Sequence, residues 1–374
     1  MCHQLSAPHS TYLTKNIGEY PDSIEIMGTS YEKVEDLRYG TNPHQPAAMY
    51  KPEGQNNPIG DLKILKNGKS GLSQTNLEDI SYSLNIVKYF DRSSCAVMKH
   101  VNPCGVAVTV EGESLVDVFQ KAWDADARAA FGSTIGFNCE LDADTAKAIM
   151  GYFVECVVAP SVSDEALAIL NDFDTYKMNK HLRVLQCGDL SQLPRYVGDD
   201  TSKARSIKVL HDGSLVISDP LLTQLRSTAD LKRATGKSKD LGEVESTIDV
   251  SEQQIEDVLA SWYININVRS NGVVIMKNGV TLAVGTGEQD RVGAVEQAVW
   301  KFANKYEGSE TIAGSVMSSD GFFPFPDAVE VAAKAGVSVC IAPAGSIKDA
   351  AVIVRANELG VALFHAPERI FSHH

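Results

Sequence analysis

The chain has 374 residues, 44% of them hydrophobic and 22% charged, with a net charge of −14. That is a globular composition with enough apolar content for two or so domains, and its acidity argues against a general affinity for nucleic acid, which needs a basic face. An anionic ligand must therefore meet a local basic cluster working against the overall field.

The first twenty residues, MCHQLSAPHSTYLTKNIGEY, lack the apolar run of a signal peptide. No stretch approaches the length of a membrane span. The seven cysteines are scattered and form no C-x-x-C pair, which fits reduced thiols in a cytoplasmic protein. Residues 1–36 are polar and read as an extended arm. Beyond them, strands alternate with helical patterns. CAVMKH (95–100) and STIGFN (133–138) read as strands, and SLVDVFQKAWDADARAAF (114–131) as one amphipathic helix. TAKAIMGYFVECVVAP (145–160) reads as a helix running into a strand. Residues 196–250 are polar and read as a connector.

The rhythm then returns. The helix EQQIEDVLASWYI precedes GVVIMKNGVTLAVGTG (272–287), a hairpin announced by its Lys-Asn-Gly turn. A helix over 291–306 and a strand at IAGSVM follow. DAVEVAAKAG leads to the strand VSVCIAP, and DAAVIVRANELG to the strand VALFHA. Such alternation means α/β layers. Two stretches of similar rhythm point to an internal duplication, although no direct sequence repeat is visible.

Four segments carry candidate chemistry. In MKHVNPCG (98–105), Lys99 and His100 follow an apolar strand, and Asn102-Pro103 with Gly105 supplies a turn that would bring both side chains to one ligand. A solvated lysine beside a strand-capping histidine is an equal reading of that stretch alone. In LRYGTNPHQ (37–45), Arg38 and Tyr39 precede a turn, and the arginine suits a phosphate or carboxylate. GTGEQDR (285–291) is a strand-to-helix turn with Arg291 at the helix entry; it matches no complete phosphate-loop pattern. In SSDGFFPFPDAVEVAAKAG (318–336), Phe322, Phe323 and Phe325 sit on an irregular loop suited to a flat ligand, and Asp327 falls at or near a helix N-cap. The terminal ERIFSHH carries Phe371, which would dock the tail. No H-x-E or P-C-x-x-C occurs, so the zinc site of a nucleobase deaminase is missing.

LRYGTNPHQ, KHVNPCGVAV, AFGSTIGFN, FVECVVAP, SDGFFPFPD, IAPAGSIKD and the final R-x-F-x-H occur in this order from residue 37 onward. Together they resemble the formyltransferase part of the bifunctional AICAR transformylase/IMP cyclohydrolase family. The resemblance implies an α/β fold of duplicated, cytidine-deaminase-like three-layer α/β/α lobes without the deaminase zinc. One lobe would span 37–195 and the other 251–374, with the arm at 1–36 and the connector at 196–250. It implies a homodimer with active sites at the interface, no nucleic-acid or membrane partner, and formyl transfer from 10-formyltetrahydrofolate to AICAR.

Carried over by motif, Lys99 and His100 are the catalytic pair, with Asn271 on the formyl oxygen and Asp327 near the reacting folate nitrogen. Phe131, Gly132 and Phe322 would line the pockets. Arg38, Tyr39, Glu155, Arg291, Arg369, Phe371 and His373 would bind the nucleotide. Only 36 residues precede Leu37, so the resemblance is to a stand-alone formyltransferase without cyclohydrolase activity. Three departures stand out. Glu288 and Asp290 replace the family's Gln and Ser beside Arg291. The SNG segment is less hydroxylated than usual near the family's potassium site, which argues against a bound monovalent cation. The ending SHH is one residue longer than usual. An inert or regulatory nucleotide- or folate-binding homologue is the competing reading, motivated by the altered GEQDR loop. Free formate activated by ATP is the competing formyl donor; the lack of a Walker A loop favours the folate.

Overall fold

The computed structural model describes residues 17–54, 56–68 and 71–373. Residues 1–16 of the expected arm lie outside the described residues. The part that follows is not simply extended: β1 (Ser23–Ile26), β2 (Thr29–Asp36) and β3 (Ala48–Pro52) pair as a small antiparallel sheet.

The first half of the main body comprises β4 (Lys63–Lys66), α1 (Gln74–Val87), β5 (Ser94–Lys99), β6 (Asn102–Val108), α2 (Leu115–Asp124), α3 (Ala127–Ala130), β7 (Ser133–Phe137), α4 (Ala143–Met150), β8 (Val154–Ala159), α5 (Asp164–Asn171) and β9 (Arg183–Gln186). A hairpin of β10 (Ser206–Val209) and β11 (Leu215–Ser218), the short β12 (Lys232–Arg233), and a second hairpin of β13 (Thr235–Ser238) and β14 (Gly242–Glu245) come next. The second half comprises α6 (Glu252–Asn265), β15 (Val273–Lys277), β16 (Val280–Gly285), α7 (Arg291–Lys305), β17 (Val316–Ser319), α8 (Asp327–Ala335), β18 (Val339–Pro343), α9 (Asp349–Glu358) and β19 (Ala362–Ala366).

One mixed sheet of 12 strands runs through both halves, in the order β12-β19-β18-β17-β15-β16-β6-β5-β7-β8-β9-β4. Read outward from the central β16–β6 contact, the two halves have the same plan. Each is a hairpin, then a strand antiparallel to it, then two further parallel strands, then an antiparallel edge strand. The sequence division into two lobes and a connector thus meets a continuous sheet, and β12, from the connector, forms one of its edges.

Strand residues alternate between two cores, one on each face. On β5, Cys95 and Val97 join one cluster, while Ala96 and Met98 join the other. The helices α1 and α6 cover the second face through Ile80, Leu84, Val258 and Trp262. The helices α2, α4, α5, α7, α8 and α9 cover the first. This is a three-layer α/β/α arrangement.

With the halves superposed by topology, a repeat hidden in the sequence emerges. Ser73 and Ser251 both cap their helices with a capping box, closed by Asn76 and Gln254 respectively. Glu78-Asp79 and Glu256-Asp257 then occupy equal positions on α1 and α6. Ser83 and Ser261 each donate to the carbonyl three residues earlier, both at 2.8 Å. Met98-Lys99 and Met276-Lys277 end the equivalent strands, and each hairpin carries a register shift one residue before that methionine.

Other expectations shift locally. The helix expected over 114–131 breaks after Asp124, where Asp126 leaves helical geometry and caps α3. The helix α1 had no assignment from the sequence, because its apolar stripe is weak and much of its inner face is Asn, Asp and Ser. Among the described residues, no helix is long and apolar enough to cross a membrane.

Candidate active site

The candidate residues converge on one edge of the sheet. β5 ends there at Lys99, and β7, antiparallel to β5, begins there. β16 runs antiparallel to β6, so its end at Gly285 lies beside the start of β6 at Asn102. β17 and β18 also finish at this edge, with Asp320 and Pro343. The equivalent tip of the second half, Lys277-Asn278, points to the opposite edge. There Lys277 is paired with Glu310, and Asn278 donates to the same carboxylate at 2.8 Å.

The turn that presents Lys99 and His100 is not at Asn102-Pro103, as the sequence indicates. Asn102 already pairs with Lys99 across the hairpin, and Pro103 lies inside β6. The turn is His100-Val101, with φ of 55° and 60°. Positive φ at both central residues is the mark of a type I′ hairpin, which favours Asn-Gly. The second hairpin has that pair, Asn278-Gly279, at φ of 48° and 75°. A β-branched valine in the left-handed region is uncommon and strained. Cys104 is the extra residue of the register shift; burial pushes its thiol up to about 12.

Lys99 Nζ donates to the Gly132 carbonyl at 2.6 Å, which directs the ammonium along the start of β7. Gly132 has φ +71°, and a Cβ there would stand 3.1 Å from Lys99 Nζ and 3.2 Å from the Phe153 ring. Its N–H donates to the Phe153 carbonyl. Phe131 is exposed, with its ring 4.9 Å from that of Phe153. His100, the next residue after Lys99, is exposed.

Next along the edge, β8 bulges at Glu155, because Ser133 pairs with Val154 and Thr134 with Cys156. Asn76 of α1 donates to Glu155 at 3.1 Å. Arg38 is only 7% exposed, and its Nε has no hydrogen-bond partner among the described residues. One of its terminal nitrogens donates to the Tyr39 hydroxyl at 2.9 Å. Burial, and then the neighbouring Arg183, hold its guanidinium below the usual basicity, while Tyr39 and Glu155 pull the other way. Two buried arginines with an orphaned donor form the local basic cluster that an anion requires on an acidic protein.

In the second half, Arg291 is not a free cation. Its guanidinium is ion-paired with the fully buried Asp320, donates to Asn271 Oδ1 at 2.6 Å, and lies 5.8 Å from the Phe371 ring centre. Asn271 in turn donates one amide hydrogen to the Glu288 carbonyl at 2.9 Å, so its amide orientation is set from both ends. Asp320 also accepts from Ser270 Oγ at 2.6 Å and Gly272 N at 2.8 Å. The side chains of the two altered acids are engaged elsewhere: the Asp290 carboxylate caps α7, and the Glu288 carboxylate accepts from Gln297, while the Glu288 backbone carbonyl holds Asn271.

The tail docks. Ser372 bridges to Arg269, and Arg369 stacks on Phe371 at 4.4 Å. The backbone carbonyl of His373 accepts from Lys208. Residues Phe371–His373 line a cavity of about 720 Å³ shared with Asn85, Lys88 and Asn267. Asp327 is the first residue of α8, one place later than an N-cap, and is exposed. Phe322 and Phe325 are exposed, but Phe323 enters the core.

Asn102 ties the two halves together. Its Oδ1 accepts from Thr286 Oγ1 at 2.7 Å and from Arg269 N at 3.1 Å. Among the described residues, no hydrogen bond or ion pair joins the Lys99 or His100 side chain to Asn271 or Asp327. Sequence reasoning passed over Asp79, Asn76, Arg183 and Asp320. Asp320 lay inside a quoted motif, and the capping box before Asp79 was a usable signal; Arg183 left none. No group of three or more His, Cys, Asp or Glu among the described residues could hold a metal ion.

A family model described as AICARFT/IMPCHase bienzyme matches residues 6–301. Two curated relatives, each called bifunctional purine biosynthesis protein PurH, are similar along 97% of this chain. The one from Oceanobacillus iheyensis is 35% identical over 362 residues, and the one from Halalkalibacterium halodurans 37% identical over 363 residues. The chain spans 63% of the length of each of these relatives.

Proposed function

The chain belongs to the AICARFT/IMPCHase bienzyme family, and on that premise we propose that it catalyses the formyl transfer of purine biosynthesis. The formyl group of 10-formyltetrahydrofolate passes to the 5-amino group of AICAR, giving FAICAR and tetrahydrofolate. The observation that carries this reading is the His100-Val101 tip. It holds a lysine anchored on Gly132 and an exposed histidine side by side, in a backbone geometry that strains the β-branched Val101.

The amine attacks the formyl carbon, and a new C–N bond forms as the bond to folate N10 breaks. His100 takes the proton that the amine loses. Lys99 polarises the formyl group and supplies a proton to the departing N10. Asn271 has one amide hydrogen committed to Glu288; the other is assigned to the developing oxyanion. Arg38, with Arg369, holds the nucleotide phosphate, and Glu155 accepts from substrate amino groups. Phe131 and Phe322 offer exposed ring surface to the flat folate, and Asp327 approaches its reacting nitrogen.

The same reading assigns a cytidine-deaminase-like lineage to the repeated halves, a cytoplasmic setting, and a homodimer with its sites at the interface. The exposed apolar side chains of hairpin β10–β11, among them Val209 and Leu215, support a surface for a second copy. The inert-homologue reading loses its motive, since Glu288 and Asp290 have structural partners of their own.

Purified protein should consume 10-formyltetrahydrofolate in an AICAR-dependent manner, and Lys99→Ala and His100→Ala should each abolish turnover. AICAR binding without turnover, or formylation from formate and ATP instead, would refute the reading.

A further inference from the structure

The two hairpin tips are built alike and held alike. On α6, Asp257 accepts from Asn278 N at 2.7 Å and Gly279 N at 2.9 Å. On α1, Asp79 at the equivalent position accepts from Val101 N at 2.7 Å. Both carboxylates are buried, Asp79 at 8% and Asp257 at 2% exposure. The tips differ in what they ask of the clamp. Asn278-Gly279 is the pair a type I′ turn prefers, so that turn forms readily by itself. His100-Val101 is a poor pair, because histidine tolerates positive φ but the β-branched valine at the second position is an outlier there. At this tip, turn propensity has given way to side-chain chemistry, and the geometry depends on the external acceptor.

From this we propose that Asp79 is the positioning residue for the Lys99–His100 pair: its carboxylate, by holding the Val101 N–H, keeps the tip in the left-handed conformation that places both side chains at the platform of Gly132. The role rests on the formyl-transfer reading given above. Without the clamp the tip relaxes toward ordinary negative φ. Lys99 then leaves the Gly132 carbonyl, and His100 turns away from the reacting amine. Substrates bind much as before, because the arginines and aromatic rings that hold them belong to other elements. The loss therefore falls on kcat rather than KM.

The test uses the full chain with Asp79→Leu, which keeps volume and removes the acceptor, Asp79→Asn, which keeps an acceptor oxygen, and Asp257→Ala as the matched change at the other tip. Hydrogen exchange at Val101 reads the tip without reference to activity. Asp79→Leu should speed that exchange at least about 10-fold and lower kcat about 100-fold, with both KM values within about 3-fold, since displacement of a catalytic group by about 1 Å has that effect. Asp79→Asn should restore kcat to within about 5-fold of the native protein. Asp257→Ala should loosen residues 278–279 and leave kcat within about 2-fold. Unchanged Val101 exchange in Asp79→Leu overturns the proposal, as does an equal kcat loss in Asp257→Ala. Should Asp79→Leu fail to fold, Asp79→Ser, too short to reach Val101, takes its place. A native protein that turns nothing over would sink the formyl-transfer reading instead, and the exchange result would still decide whether Asp79 holds the tip.

Discussion

The Arg291 guanidinium is ion-paired with the fully buried Asp320, and the same guanidinium fixes the Asn271 amide at 2.6 Å. A cation that the sequence offers to a phosphate is thus committed inside the protein. Removing one partner of a buried pair strands the other charge, which costs about 3–5 kcal/mol. Arg291→Ala and Asp320→Ala should each lower stability by that order in urea unfolding. The double variant should lose less than the sum, with a coupling of about 2 kcal/mol or more. Additive losses would mean that the two side chains act independently.

Gly132 has no room for a side chain. At φ +71°, with a Cβ meeting Lys99 Nζ at 3.1 Å, Gly132→Ala should cost about 1 kcal/mol in backbone strain. It should also displace the lysine and reduce kcat by at least about 10-fold. An active Gly132→Ala protein with native kcat would show that the Lys99–Gly132 contact is not used in turnover.

Among the described residues, Arg38 keeps a buried donor unpaired beside Arg183. An anion that satisfies it stabilises the fold by linkage, about 1.4 kcal/mol at ten times its Kd. Inorganic phosphate should therefore raise the melting temperature of the native protein and have little effect on Arg38→Met. Equal shifts in the two proteins would place the anion elsewhere.

Burial pushes the Asp79 carboxyl from its usual 3.8 up to about 6, against the opposing pull of the Val101 N–H. The folded chain therefore binds this proton more tightly than the unfolded chain. The resulting stability is fully present below pH 4, fades as pH rises from about 4 to about 6, and is absent above. The span corresponds to about 3 kcal/mol. Asp79→Asn removes the titration, so its stability relative to the native protein should rise across that window and level off at higher pH. A difference that stays constant from pH 4 to 8 would show that the carboxyl does not shift.

Local patterns carried much of this protein. The Lys277-Asn278-Gly279 hairpin and the amphipathic α7 and α8 were legible because turn preference and helical period act over a few residues. The motif residues around Lys99, Arg38 and Phe371 were legible by resemblance. The site's internal wiring was not. Turn preference placed the bend at Asn102-Pro103, whereas the structure bends at His100-Val101, because Asp79 supplies from a distant helix what those residues lack. The helix α1 escaped notice because its inner face binds polar groups as well as core. The duplication, which the sequence showed only as a similar rhythm, became a residue-by-residue repeat when the sheet aligned Asp79 with Asp257. By itself, then, the sequence determined the alternating layers and the acidic composition, which follow from short-range spacing and residue content, while the candidate reactive side chains came from resemblance. Only the tertiary structure decided that Lys99 and His100 share a strained tip, that Arg291 belongs to Asp320, and that one sheet unites both halves. Each of those depends on a contact between segments far apart in the chain, and a buried charge or a strained φ persists only where such a contact offsets its cost.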